Sequence, residues 1–408
     1  MNAWRKHKKH FFIFSSAGKP IYSRYPCDES KLARVTGVLV GVISFVGQTD
    51  DQIKSFQAGK HRIVFYLNVA VYCVAVAKTT ESTSQLVSQL EYLYSQVIST
   101  FPHTQKILRD KPNCDIRHYL TGTDKNLNNL AQCVNSEPPF LLNSINCLRM
   151  PGSLRNLVGN VMQSNREGDL FYALLIAKGQ LVHLVRPKKL ILYPPDLHLL
   201  ITFVNSSSSF RISEATMTTI CLPKFSTTGS LFLYLCYIHE DICLLLLGTK
   251  PDDFASMQVT KDKIYAALEV NQSLSQIQKA LQNHHYTVGE VGIPDLLHFL
   301  YKSHTLSQMT YPIAGPPYKT KEQRKRLFRL YEQVHCSVNI LDKDKPHKVY
   351  YHRSDSEIIV VWVTTGFDLY ACFSPLVSKA TAIKGCNTLL KWIKQEENNL
   401  FIVTSPVW

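Results

Sequence analysis

Hydrophobic and polar positions alternate along this chain in an order of strands and helices that occurs three times. In the first copy, two short apolar runs, 11–14 and 21–25, flank a turn at Gly18 and predict a β-hairpin. A helical stripe then follows, formed by Leu32, Val35, Leu39, Val42, Ile43 and Val46. Strands at 53–56, 61–67 and 71–77 come next, and Leu86, Leu90, Leu93 and Val97 mark a closing helix. The predicted order is ββαβββα.

The second copy has the same order. Its predicted strands are Leu170–Ala177, Leu181–Arg186, Ile220–Phe225, Leu231–Ile238 and Ile242–Leu247. Its predicted helices start at Pro194, where proline suits the first turn, and at Asp252, from which one long helix extends to Gln282.

The third copy is less regular. Its predicted strands are Leu297–Lys302, Gln308–Pro312, Lys348–His352, Ile358–Thr364 and Phe367–Phe373, with an added edge strand at Phe401–Thr404. The first of these segments is equally compatible with a short helix. Helices are predicted at Lys321–Val338 and around Leu389–Ile393.

The segments between the copies differ in character. Thr104–Arg166 is polar and divided by prolines, and we predict a helical linker there, while Tyr286–Pro294 is a predicted hinge. The predicted domains are therefore 1–103, 167–285 and 290–408, with the linker at 104–166. Each is a mixed α/β fold of the α+β type: a five-stranded, mainly antiparallel sheet with one helix inserted and one at the end. This is the longin arrangement.

Composition places the chain among globular proteins. It has 408 residues, of which 45% are hydrophobic and 19% charged. No window holds eighteen uninterrupted apolar residues, because His239-Glu240-Asp241 divides the nearest candidate. The apolar block Phe11–Phe14 is too short for a secretory signal, so we do not expect one. Eleven cysteines without a C-x-x-C pair favour a reducing compartment over disulfides or zinc.

Motifs for covalent chemistry are not found in the sequence. It has no glycine-rich phosphate loop and no nucleophile elbow, and its histidine pair His284-His285 lacks metal-ligand spacing. We therefore expect no covalent enzyme activity, no cofactor and no metal site.

Charge points to a binding protein. The formal net charge is +14, which implies an acidic partner. The basic clusters are Arg5 to Lys9, Arg186 with Lys188 and Lys189, and 319–329. Near an anionic leaflet each basic residue contributes ~1 kcal/mol, so one cluster assists membrane docking without achieving it alone. Nucleic-acid binding is not expected, because aromatic residues are not interleaved with the basic ones.

Long ordered stretches also resemble one known family. They are His10–Tyr25, Arg186–Lys189, Asp196–Leu199, Ile220–Phe225, Val291–Ser303, Trp362–Tyr370 and Leu390–Glu397. They resemble the SAND family of vacuolar fusion proteins, also called the Mon-one family, in order and over nearly the whole chain. Two places depart from the family pattern, Pro26-Cys27 and Thr216–Thr219.

The resemblance implies both an assembly and an activity. The fold would comprise three longin domains, and the partner would be a Ccz-one-type subunit, also of three longin domains. The heterodimer would be a guanine-nucleotide exchange factor for a late-endosomal or vacuolar GTPase of the Rab-seven type. The resemblance further implies a cytoplasmic protein bound peripherally to late endosomes, vacuoles and lysosomes that carry phosphatidylinositol 3-phosphate.

Three surfaces follow as hypotheses. The GTPase surface would comprise Arg24, Tyr25, Asp28, Glu29, Lys31 and Arg34, polar residues that border an apolar helix stripe; ordinary capping and solvation is the alternative. The membrane surface would comprise Arg186, Lys188, Lys189, Lys321, Arg324 and Lys325, for which ordinary solvated surface is the alternative. Heterodimer contacts would use a sheet edge or face at the apolar strands Leu231–Ile238 and Ile242–Leu247, for which the alternative is ordinary core.

Two other functions remain open at this point. A longin-domain adaptor in membrane trafficking would bind partners without exchanging nucleotide. A protein that binds RNA through its positive charge is the third class.

Overall fold

The structure is a computed structural model that describes residues 7–25, 28–120, 122–206, 208–283, 285–341 and 348–404. Arg5, Lys6, Pro26-Cys27 and His284 lie outside these residues. The chain forms two compact units. One contains the first sheet and the chain as far as Ser136, together with Ile220–Ser230; the other contains Glu137–Thr219 and the chain from Leu231 onward.

The first sheet has the predicted five strands and two helices. They are β1 (Lys9–Ser15), β2 (Pro20–Ser23), α1 (Glu29–Gly47), β3 (Ser55–Ala58), β4 (His61–Asn68), β5 (Val71–Ala77) and α2 (Thr83–Thr100). The spatial order is β2-β1-β5-β4-β3, and all neighbours are antiparallel. The nearly continuous apolar run of β5 is explained by its central position in this sheet.

The two helices that accompany the first sheet, α1 and α2, lie where their sequences predict. The buried residues of α1, among them Leu39 and Ile43, pack on Phe12, Phe65 and other residues of one sheet face. Helix α2 begins with a capping box in which Ser82 and Gln85 satisfy each other's backbone N–H groups.

The segment predicted as a helical linker contains α3 (Thr104–Asp110), α4 (Asp124–Cys133), α5 (Pro138–Leu141), β6 (Ile145–Asn146) and α6 (Gly152–Ser164). Pro138 opens α5 and Pro151 caps α6, consistent with proline at helix starts. Strand β6 was not predicted. Helix α6 packs through Leu154, Val158 and Met162 into the core of the second sheet.

The second sheet follows with β7 (Leu170–Ala177), β8 (Gln180–Val185), α7 (Pro194–Ser206), β9 (Thr216–Cys221), β10 (Ser230–His239), β11 (Ile242–Gly248), α8 (Phe254–Val270) and α9 (Ser273–Gln282). Its order is β8-β7-β11-β10-β9. The predicted strand Ile220–Phe225 was misplaced: β9 ends at Cys221, and Pro223, which has no N–H to donate, follows it. The long helix predicted to start at Asp252 is broken where Gln272 adopts a left-handed φ of 51°.

The third sheet is formed by α10 (Val288–Val291), β12 (Leu296–Ser303), β13 (Gln308–Thr310), α11 (Lys321–Leu341), β14 (Lys348–Arg353), β15 (Ile358–Val363), β16 (Phe367–Phe373), α12 (Lys379–Gln395) and α13 (Glu397–Leu400). Its order is β14-β15-β16-β12-β13-β6, and β6 joins parallel to β13. The ambiguous segment near Leu297 is therefore a strand.

Two local predictions in the third copy are wrong. Phe401–Thr404 is not a strand, because the Gln308 side chain satisfies the backbone N–H and C=O of Ile402 in place of a neighbouring strand. The proposed hinge at Tyr286–Pro294 is packed: Tyr286 is buried and its hydroxyl lies 2.7 Å from Thr310 Oγ1. Three mainly antiparallel sheets with helices confirm the α+β class.

An internal arginine connects α6 with its surroundings in the second unit. Arg155 is 2% exposed and donates to the carbonyl oxygens of Leu148 at 2.7 Å, Val182 at 2.9 Å and Asn399 at 3.1 Å. Beside it the buried imidazole of His183 directs its Nε2 edge at Gly159, where any side chain would collide with it. The small residue at 159 is therefore a packing requirement.

We expect Gly159→Ala to destabilise the protein, because the added Cβ would lie 2.8 Å from His183 Cε1. Overpacking of this kind costs about 1–3 kcal/mol. Gly41→Ala in α1 is the matched control: its Cβ meets nothing within 4 Å, and alanine favours a helix over glycine by about 0.5–1 kcal/mol. Urea unfolding followed by circular dichroism distinguishes the two; equal midpoints would contradict the packing argument.

Acid should also destabilise the fold. Burial lowers the pKa of His183 to about 3 and those of His198, His298 and His335 to about 4. The unfolded chain takes up these protons near pH 6.5, so stability is complete above that pH and falls as pH drops toward 4. Each histidine contributes up to about 1.4 kcal/mol per pH unit.

His183→Leu tests this dependence, because neither ring nitrogen of His183 has a hydrogen-bond partner among the described residues. The urea midpoint of the variant should fall less steeply between pH 7 and pH 5 than that of the wild type. An unchanged slope would show that His183 does not contribute.

Candidate functional site

The start of α1 carries four of the predicted GTPase-binding residues. Asp28 caps the helix by accepting from the Ser30 backbone N–H at 3.1 Å, and Glu29 occupies the first turn. Hydrogen bonds from Ser30 lower the pKa of Asp28. Both carboxylates lie where the helix dipole favours negative charge. Lys31 lies 3.9 Å from Asp28, and the exposed Arg34 makes no ion pair among the described residues.

The hairpin end that precedes α1 is held by aromatic contacts. The Arg24 guanidinium lies 5.5 Å from the ring centroids of both Phe11 and Tyr25. Tyr25 in turn stacks on His7 with ring centroids 3.6 Å apart. Because these contacts restrict both side chains while leaving them partly exposed, Arg24 and Tyr25 form a preorganised edge.

Residues from the predicted linker complete this surface, which sequence reasoning missed. Arg117 donates from Nη2 to Glu29 at 3.0 Å and to Asp115 at 2.7 Å. Lys19 lies 3.7 Å from the same Asp115. Hydrogen bonds from Arg117 hold the pKa of Asp115 well below its usual range. Glu29 is therefore tied to a charge network, while Lys31 and Arg34 remain accessible.

The outward face of α1 changes from basic to apolar along the helix. Lys31, Arg34, Val38, Gly41 and Phe45 follow a three–four spacing that places them on one side. Val38 is 68% exposed and Phe45 is 72% exposed. A side chain built at Gly37 or Gly41 would meet nothing within 4 Å, so this face can be approached closely. We call these five residues the α1 stripe.

Composition alone would also allow α1 to cross a membrane. Among the described residues, α1 is long and apolar enough to cross a membrane, and 17% of its 18-residue apolar segment is buried. Core helices of soluble proteins pass the same test when they are mostly buried. Helix α1 differs from such helices because one face packs on the first sheet while the α1 stripe is exposed.

The six residues of the predicted membrane surface are accessible in part. Lys188 and Lys189 are exposed after β8, and Lys321, Arg324 and Lys325 are exposed at the start of α11. Arg186 instead donates to the carbonyl oxygen of Leu190 at 2.7 Å, within its own loop.

The sheet order contradicts an edge contact of β10 and β11 with a second subunit. Neither strand is an edge, since β11 lies between β7 and β10 and β10 lies between β11 and β9. Every residue of β11 is buried. Their apolar sequences are accounted for by the core of their own sheet.

The described residues contain no group of three or more metal-ligating side chains. A groove of about 500 Å³ in the second unit is lined by Arg149, Lys279 and Asn399, among others. Arg149 is already engaged there: it donates to Glu290 at 2.8 Å and lies 5.2 Å from the Tyr286 ring centroid.

Comparison with known proteins assigns all three sheets. Residues 9–130 match the first longin domain of FUZ, MON1 and HPS1, residues 168–266 the second, and residues 295–397 the third.

Relatives that match nearly the whole of this chain agree with this assignment. The vacuolar fusion protein MON1 homolog A of Bos taurus is 38% identical over 406 residues, which cover 98% of this chain and 72% of the relative. Protein SAND of Takifugu rubripes is 37% identical over 406 residues, 98% of this chain and 77% of the relative. The MON1 homolog of Arabidopsis thaliana is 33% identical over 428 residues, 98% and 70% respectively. The chain therefore belongs to the MON1, or SAND, family of vacuolar fusion proteins and contains three longin domains.

Proposed function

We propose that this chain acts in vacuolar fusion as one subunit of a heterodimeric guanine-nucleotide exchange factor for a Rab-seven-type GTPase. The observation that carries the proposal is the α1 stripe, which presents a basic end and an exposed apolar end on one helix face. An apolar face of this kind is typical of a protein that works with a partner. Family membership supports the role in vacuolar fusion.

Exchange requires no reacting side chain. A surface that binds the nucleotide-free GTPase better than the nucleotide-bound form must, by reciprocity, weaken nucleotide binding by the same factor. A nucleotide held at picomolar affinity is bound by about 16 kcal/mol, so the surface must make strong contacts to the nucleotide-free form. Exchange activity is therefore a property of an extended surface.

The two ends of the α1 stripe suit two different partners. Lys31 and Arg34 at one end, with Arg24 on the preceding hairpin, are accessible cations and complement an acidic GTPase surface. Val38 and Phe45 at the other end suit an apolar helix of the Ccz-one-type subunit, because Gly41 between them permits close approach.

The proposal also includes peripheral membrane binding, which the exposed basic residues support. The protein would be cytoplasmic and bind peripherally to late endosomes, vacuoles or lysosomes through basic residues such as Lys188, Lys321 and Arg324.

Charge reversal at Arg24, Lys31 and Arg34 should slow nucleotide release from the GTPase by about tenfold or more, since each reversal replaces an attraction by a repulsion. The measurement is release of a fluorescent nucleotide in the presence of the assembled heterodimer, without membranes.

Lys60→Glu, Lys106→Glu and Arg109→Glu together form the matched control. These three exposed cations of the same unit give the same change in net charge. Equal slowing by both triple variants would indicate a general charge effect and reject the assignment. Partner binding by the wild type without any nucleotide release would favour the trafficking adaptor instead.

The apolar end of the stripe makes a separate prediction. Val38→Ser with Phe45→Ser should reduce copurification with the Ccz-one-type subunit, because both side chains would lose their apolar contacts on assembly. Val69→Ser is the control, since Val69 is 63% exposed in the same unit but lies outside the stripe. Undiminished copurification of the double variant would place the partner elsewhere.

A further inference from the structure

The loop between β8 and α7 combines charge with exposed apolar side chains. It runs from Arg186 to Tyr193 and contains no acidic residue. A tight turn, closed by the Leu190 N–H donating to the Pro187 carbonyl at 3.1 Å, presents Lys188 and Lys189 to solvent. Both lysines therefore lie at the tip of a hydrogen-bonded turn.

Arg186 holds the loop in this shape. Its Nη1 donates to the carbonyl oxygen of Leu190 at 2.7 Å and lies 3.4 Å from those of Pro187 and Lys188. Its charge is therefore directed inward at the loop backbone. Arg186 is a positioning residue, and the two lysines provide the outward charge.

Two apolar side chains follow the lysines on the outside of the loop. Ile191 is 56% exposed and Tyr193 is 43% exposed, whereas Leu192 between them is 9% exposed and anchors the segment. This alternation directs Ile191 and Tyr193 away from the core while the backbone stays attached to it.

We propose that this loop inserts into the surface of an anionic lipid bilayer, with Lys188 and Lys189 at the phosphates and Ile191 and Tyr193 at the boundary between headgroups and acyl chains. Tyrosine is enriched at that boundary, and lysine there pairs with anionic lipid while neighbouring apolar groups leave water. The inference deepens the peripheral membrane binding in the proposed function and rests on it.

A bilayer explains this combination better than an acidic protein or a nucleic acid would. The lysines alone would provide an attraction that salt screens, whereas the exposed apolar pair adds one that salt does not weaken. Partial resistance of membrane binding to salt is the distinguishing consequence.

Vesicle flotation of the full chain assembled with its partner tests the proposal. The vesicles are phosphatidylcholine alone or with phosphatidylserine and phosphatidylinositol 3-phosphate, at low and high salt. Ile191→Ser with Tyr193→Ser should weaken binding about tenfold and remove the fraction that persists at high salt. Lys188→Ala with Lys189→Ala should weaken binding about thirtyfold at low salt, and much less at high salt.

The control is Ile212→Ser, an isoleucine of the same unit that is 87% exposed outside the loop; its flotation should equal that of the wild type. Ile191→Leu with Tyr193→Trp should restore binding, which separates insertion from a folding defect. Wild-type flotation by Ile191→Ser with Tyr193→Ser, or no flotation of the wild type, would overturn the proposal. Nucleotide release by the wild type in solution reports exchange independently, so loop-dependent flotation without release rejects exchange alone.

Discussion

The need to cover apolar surface governs this structure. Each sheet is too apolar to remain in water and is stabilised by helices that bury it; α1 supplies that cover for one face of the first sheet. The helix does so while leaving Val38 and Phe45 exposed. The inner face of α1 is buried against the sheet, whereas the apolar side chains on its outer face remain exposed to water. This exposed apolar face is the physical reason to expect assembly with a partner. The basic residues at the start of α1 would lie beside that contact.

Local pattern predicted most strands because each one has a turn on either side and a buried face. Leu170–Ala177 and Phe367–Phe373 match the structure to the residue. The errors occur where a single long-range contact replaces a local rule. Gln308 binds the backbone of Ile402 from 94 positions away, and β6 forms a strand only because β13 lies beside it. No property of either short segment encodes such a neighbour.

The candidate site shows the same division. Arg24, Lys31 and Arg34 are predicted from sequence because they border a helix stripe. Arg117 reaches Glu29, and Asp115 reaches Lys19, only through the fold. Pattern also fails to distinguish a buried apolar run from an exposed one. The apolar sequences of β10, β11 and α1 look alike. Strands β10 and β11 nevertheless lie inside their sheet, whereas much of α1 is exposed. Sheet order decides between core and contact surface.

The net charge of +14 does not show which basic residues are available to a partner. Arg155 is buried against carbonyl oxygens, Arg186 is directed at its own loop, and Arg117 is tied to two carboxylates. The accessible cations are a smaller set, represented by Arg34 in the first unit and by Lys188 and Lys321 in the second. Since a surface attracts an acidic partner only through charges that remain accessible, these residues are better guides to function than the net charge. One such group adjoins an apolar helix face and another adjoins an exposed isoleucine and tyrosine, so in both places charge can orient a contact that apolar burial then stabilises.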